Sequence, residues 1–296
     1  MKALVLGGRG FIGRYVVKAL LDKHIDVVIG SRKATGGEIE IRRIALQQMH
    51  KADDWLEKIA EFDLVINCVG ILRERLGETY QQIHNHAPYS LALACKALSI
   101  RLIHISALGL SANAQSRFIL SKLEGENNLL GSGAQVVIVR PSLLDGIDGY
   151  GARWLRRVAQ WPVHGVMKTE GLIAPLHVTE LAEVIVKISL MPANQCPKVV
   201  ELGGTQAMGM AEYLALLRSE YTDTRAPCVE LPVWMIRIIS HLLDVIGFTP
   251  LSFGHVELMQ GYNVPAHNYL PQLLGRNPWV AGRKADLIAP FPVQAL

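Results

Sequence analysis

The run MKALVLGGRGFIGR, Met1 to Arg14, leaves this chain few ways to fold. Lys2 to Leu6 is a short apolar stretch suited to a buried strand. Gly7, Gly10 and Gly13 follow at a spacing of three, and Ile12, Tyr15, Val16, Ala19 and Leu20 then recur with the period of a helix. Strand, glycine turn and amphipathic helix in that order open a βαβ unit whose turn can hold a dinucleotide. Gly7 permits the tight turn, Gly10 lets backbone amides approach a pyrophosphate, and Gly13 lets the helix lie close on the strand. Arg9, Phe11 and Ile12, in and just after this turn, are expected among the residues that bind the cofactor.

The 296 residues, half of them apolar, suffice for one large α/β core or a core with an appended lobe. The formal net charge of +4 is small for that length and the cations form no dense block, which argues against a nucleic-acid partner. Cys68, Cys95, Cys196 and Cys228 are scattered without metal-ligand spacing. They read as small buried hydrophobes in a reducing compartment, with neither a metal site nor a disulfide framework. A strand begins at once, which predicts no signal peptide, and no apolar run reaches the roughly eighteen residues of a membrane span. A cytoplasmic location is expected, with peripheral contact at the inner face of a membrane as its variant.

Ile25 to Ile29 forms a second apolar run ending in Gly30-Ser31-Arg32-Lys33. In a dinucleotide fold this turn meets the adenosine ribose, where an acid would bond the 2′-hydroxyl of NAD and repel the 2′-phosphate of NADP. No acid stands at Ser31, Arg32 or Lys33. The planar fork of Arg32 can grip a phosphate, with Arg9 approaching the same group, so NADP (NADPH) is favoured over NAD. Ala34 to Glu38 reads as a flexible connection, Ile39 to Leu46 as a third strand, and Asp53 to Ile59 as a short helix. Leu64-Val65-Ile66 is a buried strand running into Asn67-Cys68-Val69-Gly70, small residues against which a nucleotide can lie. Thr79 to Ser99 reads as one long helix in which His84, Asn85 and His86 cannot all face the core. Its histidines are expected to be solvated or hydrogen-bonded and not metal ligands. Leu102 to Ile105 delivers Ser106 to the carboxyl edge of the sheet, where open parallel sheets hold ligands.

GGRGFIG at Gly7 to Gly13, NCVG at Asn67 to Gly70, Asn85, Ser106, Lys122, RPSLLDG at Arg140 to Gly146 and APLHVTELAEVI at Ala174 to Ile185 together resemble the short-chain dehydrogenase/reductase superfamily, in its extended and atypical branches. HISALG and SRFILSKLEGE are most similar to the atypical group that contains the nucleotide-binding accessory subunit of respiratory complex I and its bacterial relatives. The resemblance covers residues 1 to about 205 and the rest only loosely. It implies an α/β fold: a doubly wound parallel sheet (Rossmann fold) over residues 1–145. A smaller, mainly helical C-terminal substrate lobe would follow over 146–296, with about 172–205 returning to the main sheet. It also implies that Cys68, Val69, Gly70 and Asn85 serve the cofactor, and that Pro141, Ser142 and Leu143 pass beside the nicotinamide.

The reaction of that family needs a Tyr one helical turn before a Lys, both aimed at the nicotinamide ribose. The Lys bonds the ribose and lowers the pKa of the phenol, a Ser orients the substrate carbonyl, and the Tyr transfers the proton. Ser106 and Lys122 fit this pattern. The Tyr position holds Phe118, which keeps the shape and has no proton to give. Ser106, Ser121 and a bound water are the remaining local donors.

In the second half, Val136 to Val139 is a strand, and Asp145 to Gly151, with three glycines, reads as a mobile turn before a helix through Trp154 and Val158. His177 reads as a structural turn residue, with Thr179 capping the helix that follows. Val199 to Leu202 returns to the sheet and Met210 to Leu217 forms a helix. Pro232 to Ile246 reads as a helix with Arg237, Ser240, His241 and Asp244 on one face and a wide apolar face through Trp234, Ile238 and Leu242. Gly247 ends it, and Phe248, Leu251 and Phe253 extend its apolar character. The apolar face is expected to pack into the substrate lobe; contact of 232–253 with a membrane or a protein complex is the alternative.

These features predict an NADP(H)-binding short-chain-reductase relative with weak or specialised oxidoreductase activity on a hydrophobic carbonyl or quinone-like small molecule. Phe118 keeps open a redox-silent, nucleotide-bound structural, assembly or sensor protein. A sugar-nucleotide epimerase or dehydratase ranks last, because it relies on the same missing Tyr and prefers NAD.

Overall fold

Short apolar runs alternating with amphipathic helices build parallel strands, because each helix must cross the sheet to bury its face. The computed structural model describes residues 1–33, 38–246 and 252–282, with the side chains of 243–246 excepted. In chain order it places β1 (Lys2–Leu6), α1 (Phe11–Leu21), β2 (Asp26–Ser31), β3 (Ile41–Arg43), α2 (Asp53–Ile59) and β4 (Leu64–Asn67). Then come α3 (Ala87–Ala97), β5 (Arg101–Ile105), α4 (Arg117–Gly131) and β6 (Val136–Pro141). β7 (Leu144–Asp145), α5 (Tyr150–Ala159), β8 (His164–Met167) and β9 (Leu176–His177) leave the main sheet. α6 (Val178–Leu190) brings the chain back to it at β10 (Val199–Leu202). α7 (Met210–Ser219), β11 (Cys228–Leu231), α8 (Val233–Ile246), α9 (Phe253–Gln260) and α10 (Leu270–Leu274) follow.

The main sheet has seven parallel strands in the order β10-β6-β5-β4-β1-β2-β3. Alternate residues of one strand feed opposite layers. Ala3 and Val5 join α1, α6 and α10 on one face, whereas Leu4 and Leu6 join Trp55, Ile59 and Leu91 on the other. The strand order reverses between β1 and β4, where Leu6 pairs with Gly30 on one side and Asn67 on the other. Chains leaving in opposite directions open a crevice at that point.

Several elements differ from the sequence reading. The helix expected over Thr79 to Ser99 begins with a wide π-type turn, Gln81–His86, before α3. The widened turn lets α4 approach closely, since a Cβ at Gly125 would stand 2.0 Å from the His84 carbonyl oxygen. The third strand shrinks to Ile41–Arg43. Thr179 caps nothing: α6 starts at Val178 with His177, in extended conformation, as its N-cap. His177 is a turn residue as expected, its Nε2 facing the Val280 carbonyl at 3.3 Å.

The turn from Asp145 to Gly151 is pinned, not loose. Asp145 is fully buried against Arg156, Asp148 accepts from Arg14 at 2.5 Å and Tyr15 at 2.9 Å, and Gly146 and Gly149 pack on the Phe11 ring. The largest correction concerns α8. Trp234, Ile238 and Leu242, four residues apart, are 63%, 54% and 59% exposed, while Ser240 is fully buried. Arg237 and Ser240 turn inward because they find partners there, whereas His241 stays exposed. Arg237 donates to Gln260 Oε1 at 3.0 Å and Gln115 Oε1 at 3.4 Å, and Ser240 donates to the Arg237 carbonyl. Residues 34–37 and 247–251, including the expected Gly247 stop, Phe248 and Leu251, lie outside the described residues.

Candidate cofactor and substrate site

Gly7 ends β1 at φ +73°, a backbone state that suits glycine, and its carbonyl accepts from the Gly10 amide at 2.8 Å. A Cβ at Gly13 would lie 2.2 Å from that same carbonyl, so α1 can begin only where residue 13 has no side chain. The turn therefore uses the Gly10 amide itself. The first-turn amides of α1, those of Phe11 and Ile12, have no partner within the helix and face the crevice with the positive end of its dipole. This is a fit for a pyrophosphate.

A cavity of about 450 Å³ extends from this turn between the sheet edge and the C-terminal segments. It brings together Gly10, Phe11, Ile12, Cys68, Val69, Gly70, Ser106, Phe118, Lys122, Pro141, Ser142 and Leu143. Gly7 and Gly13 sit beneath it as scaffold. Arg9, Ser31, Arg32 and Lys33 stand outside it, Ser31 as the last residue of β2 and Arg32 and Lys33 just past its end. Asn85, expected at the cofactor, does not line the cavity. Its side chain is buried between helices, donating to Gln81 Oε1 at 3.1 Å and accepting from Asn128 Nδ2 at 2.7 Å. Ser121 also points away: its hydroxyl donates to the Phe118 carbonyl at 3.0 Å and faces His84 Nδ1. Ser142 lines the cavity with its hydroxyl committed, donating to the Asn263 carbonyl at 2.6 Å and accepting from the Ala174 amide.

Two polar side chains remain turned to the cavity from the sheet side. Ser106 Oγ is buried and has no hydrogen-bond partner within the protein. A buried hydroxyl without a partner costs free energy unless a ligand or water completes it. Lys122 Nζ lies beside Gly70 and 5.6 Å from the centroid of the Phe118 ring. Burial lowers the pKa of Lys122 from 10.5 to about 8, against a smaller opposing pull from Glu126. Behind it, burial and then the Lys122 charge push His84 to about 2 and His104 to about 3, so both imidazoles stay neutral. His84 Nε2 accepts from the Ile71 amide at 3.3 Å and His104 Nδ1 accepts from Asn67 Nδ2 at 3.1 Å. His86 is exposed. Cys68 is pushed up to about 12 by burial and stays a thiol.

The residue that sequence reasoning missed is His255. It stands on α9, in the part of the chain where the family resemblance is loose, and its ring faces that of Phe118 with centroids 5.2 Å apart. Ser252 Oγ lies 2.6 Å from His255 Nδ1, fixing the ring. Gly254 permits this approach, for a Cβ there would be 2.9 Å from Phe118 Cβ and 2.8 Å from Ser116 Oγ. Glu257 clamps the same junction by accepting from the amides of Gln115 and Ser116 at 2.7 and 2.8 Å. The only local signal was Ser252 as an N-cap, which marks a helix start and not a place in the site.

The remaining wall is apolar, formed by Ile71, Leu72, Tyr150, Trp154, Leu155, Leu258 and Met259 among others. Such a lining suits a hydrophobic molecule and leaves few groups to bond the hydroxyls of a sugar.

The sequence profile of the NAD dependent epimerase/dehydratase family matches residues 3–141. The chain is 28% identical over 263 residues to the NADH dehydrogenase (ubiquinone) 1 alpha subcomplex subunit 9, mitochondrial, of Dictyostelium discoideum, covering 84% of this chain and 72% of that protein. It is 26% identical over 227 residues to the ceramide reductase of Caulobacter vibrioides, covering 74% of this chain and 66% of that one. Among solved structures, a nucleoside-diphosphate-sugar epimerase from Staphylococcus aureus superposes with a TM-score of 0.73 over 95% of this chain and 98% of its own. At 17% identity that likeness is one of fold.

Proposed function

We propose, from the premise that this chain is built on the pattern of the extended short-chain dehydrogenases/reductases, that it binds NADP(H) and reduces a hydrophobic carbonyl or quinone-like compound. The observation that carries this reading is the unpartnered Ser106 hydroxyl beside Lys122 in an apolar cavity entered from the α1 N-terminus. The amides of Phe11 and Ile12 would take the pyrophosphate, Arg32 the 2′-phosphate, and Lys122 the nicotinamide ribose. The reduced nicotinamide, when bound, supplies a hydride. Ser106 would orient the substrate carbonyl, and the apolar wall would exclude water and hold the rest of the molecule. Phe118 cannot donate, so the proton for the carbonyl oxygen comes from His255, the imidazole pressed against that ring. With a ketone the hydride goes to carbon and the proton to oxygen, giving an alcohol; with a quinone the hydride and the proton together give the hydroquinone. In both cases His255 recovers its proton from solvent.

Calorimetry with NADPH and NADH tests the first half. NADPH is expected to bind more tightly, with Arg32→Ala narrowing the gap; equal affinities in the wild type would overturn the NADP preference. Near-ultraviolet absorbance of bound NADPH, followed with a short-tailed benzoquinone and a medium-chain ketone, tests the second. Reduction lost in His255→Gln with NADPH affinity retained supports it. A second reading, a redox-silent nucleotide-bound assembly or structural protein, rests on Phe118 and on the likeness to a protein named as a complex I subunit. Nucleotide binding with no oxidation of NADPH by either probe would favour that second reading.

A further inference from the structure

The adenosine end of the crevice carries a contact that spans 46 residues of sequence. Arg32, just past β2, is 62% exposed, and its Nη1 is held by the carboxylate of Glu78, which is only 13% exposed. Glu78 closes a tight hairpin. The Arg75 amide donates to the Glu78 carbonyl at 3.0 Å and the Glu78 amide returns the bond at 2.9 Å, with Gly77 at φ +80°. At its other end the same loop is tied to the wall that bears Phe118. Glu74 pairs with Arg117 at 3.0 Å and accepts from the Tyr80 amide at 2.8 Å. The loop thus runs along the crevice from the adenosine end to the nicotinamide end, and its residues Ile71 and Leu72 line the cavity.

We propose that Glu78 sets the nucleotide selectivity of this site by occupying Arg32 in place of a 2′-phosphate, so that NADP(H) binds by displacing it. The inference rests on the reading of Arg32 as the phosphate grip. A carboxylate at the ribose end normally serves NAD, by accepting from the 2′-hydroxyl, and opposes the 2′-phosphate by charge. Here no acid stands in the β2 turn, and the loop supplies one from elsewhere in the chain. A phosphate carries more charge than a carboxylate and can also take the guanidinium fork through two bonds, so it wins the exchange at a cost. Displacement then frees the hairpin from its anchor at the adenosine end. An NAD molecule, which has nothing to offer Arg32, leaves the pair intact.

The test compares 2′,5′-ADP with 5′-AMP, which differ only in the phosphate at issue and carry no redox chemistry. Calorimetric titrations use the full chain as wild type, Glu78→Gln and Arg32→Ala, with thermal unfolding as the check that each variant is folded. Glu78→Gln is expected to raise 2′,5′-ADP affinity by about five- to tenfold, the scale of one partly exposed ion pair plus relief of repulsion, and to leave 5′-AMP unchanged. In the wild type, 2′,5′-ADP and not 5′-AMP is expected to speed hydrogen exchange at the amides of Arg75 and Glu78. Equal gains for both probes, or no gain for either, would overturn the role of Glu78. If Arg32→Ala instead leaves the difference between the probes as it is in the wild type, the phosphate grip itself fails. Absence of binding by either probe to the wild type rejects the nucleotide site as a whole.

Discussion

Lys122 is the residue whose ionisation this site most depends on. Its pKa, lowered from 10.5 to about 8 by burial, fixes the sign of two effects. Below about 8 the ammonium is charged in both folded and unfolded chains and the folded state bears the full cost of burying it. Between about 8 and 10.5 the folded chain is neutral while the unfolded one still holds the proton, so this group makes stability rise with pH. With Lys122 on the nicotinamide ribose, as proposed, ligand binding is expected to run the other way, because only the ammonium donates fully to a ribose hydroxyl. NADPH affinity measured by calorimetry is expected to fall between about pH 7 and about pH 9, and Lys122→Met should remove that slope. His104 acts on stability in the same sense, in a window at the acid end. With its pKa lowered from 6.5 to about 3, it takes up a proton on unfolding once the pH drops below 6.5, and its stabilising share is lost there. The pH slope of the unfolding free energy between about pH 5 and about pH 6 is therefore expected to be shallower in His104→Gln by about one proton.

At the scale of elements, the pieces that make the site differ in how plainly the chain announces them. β1, its glycine turn and α1 are fully readable, because the residue types needed for a tight turn and a close helix are few. Ser106 and Lys122 are readable through register with a known pattern. α9 is not, since nothing local in SFGHVELMQ says that it will lie against Phe118; that contact is made across 137 residues. Its closeness depends on Gly254. Gly254→Ala is expected to destabilise the fold by about 1–3 kcal/mol and to separate His255 from Phe118, with chemical denaturation reading the first effect. α8 was misread for a related reason. Periodicity shows that a helix has two faces but not which one the protein covers, and here Arg237 and Ser240 are anchored inward. Ile238→Lys with Leu242→Lys should consequently change stability by no more than about 1 kcal/mol, whereas the same pair in a core would cost several. No helix among the described residues is long and apolar enough to cross a membrane.

Across the whole molecule, the cavity is shared between the sheet edge and segments far along the chain, so its occupant ties the two together. A nucleotide that binds the folded chain alone stabilises it by mass action. NADPH at about a hundred times its Kd is expected to add about 2.7 kcal/mol, visible as a raised Tm, and a Tm indifferent to NADPH would mean that no such site exists. The doubly wound parallel sheet and the site's first half are legible in the sequence, whereas the closure of the second half is written only in long-range contacts. Asn263 donates to the Leu108 carbonyl and Glu78 reaches Arg32, neither of which any periodicity displays.

The buried carboxylates of Asp145 and Glu180 are completed late. Gly282 gives its amide to Asp145 at 2.7 Å, and Trp279 gives its own to Glu180 at 2.9 Å beside Arg276. During synthesis, a chain still held at the ribosome before those amides emerge carries anions that await their donors, in the turn that presses on Phe11 and in α6, whose face packs on α1. The sheet can assemble early, whereas the floor beneath the glycine turn sets only once Trp279 and Gly282 have joined it.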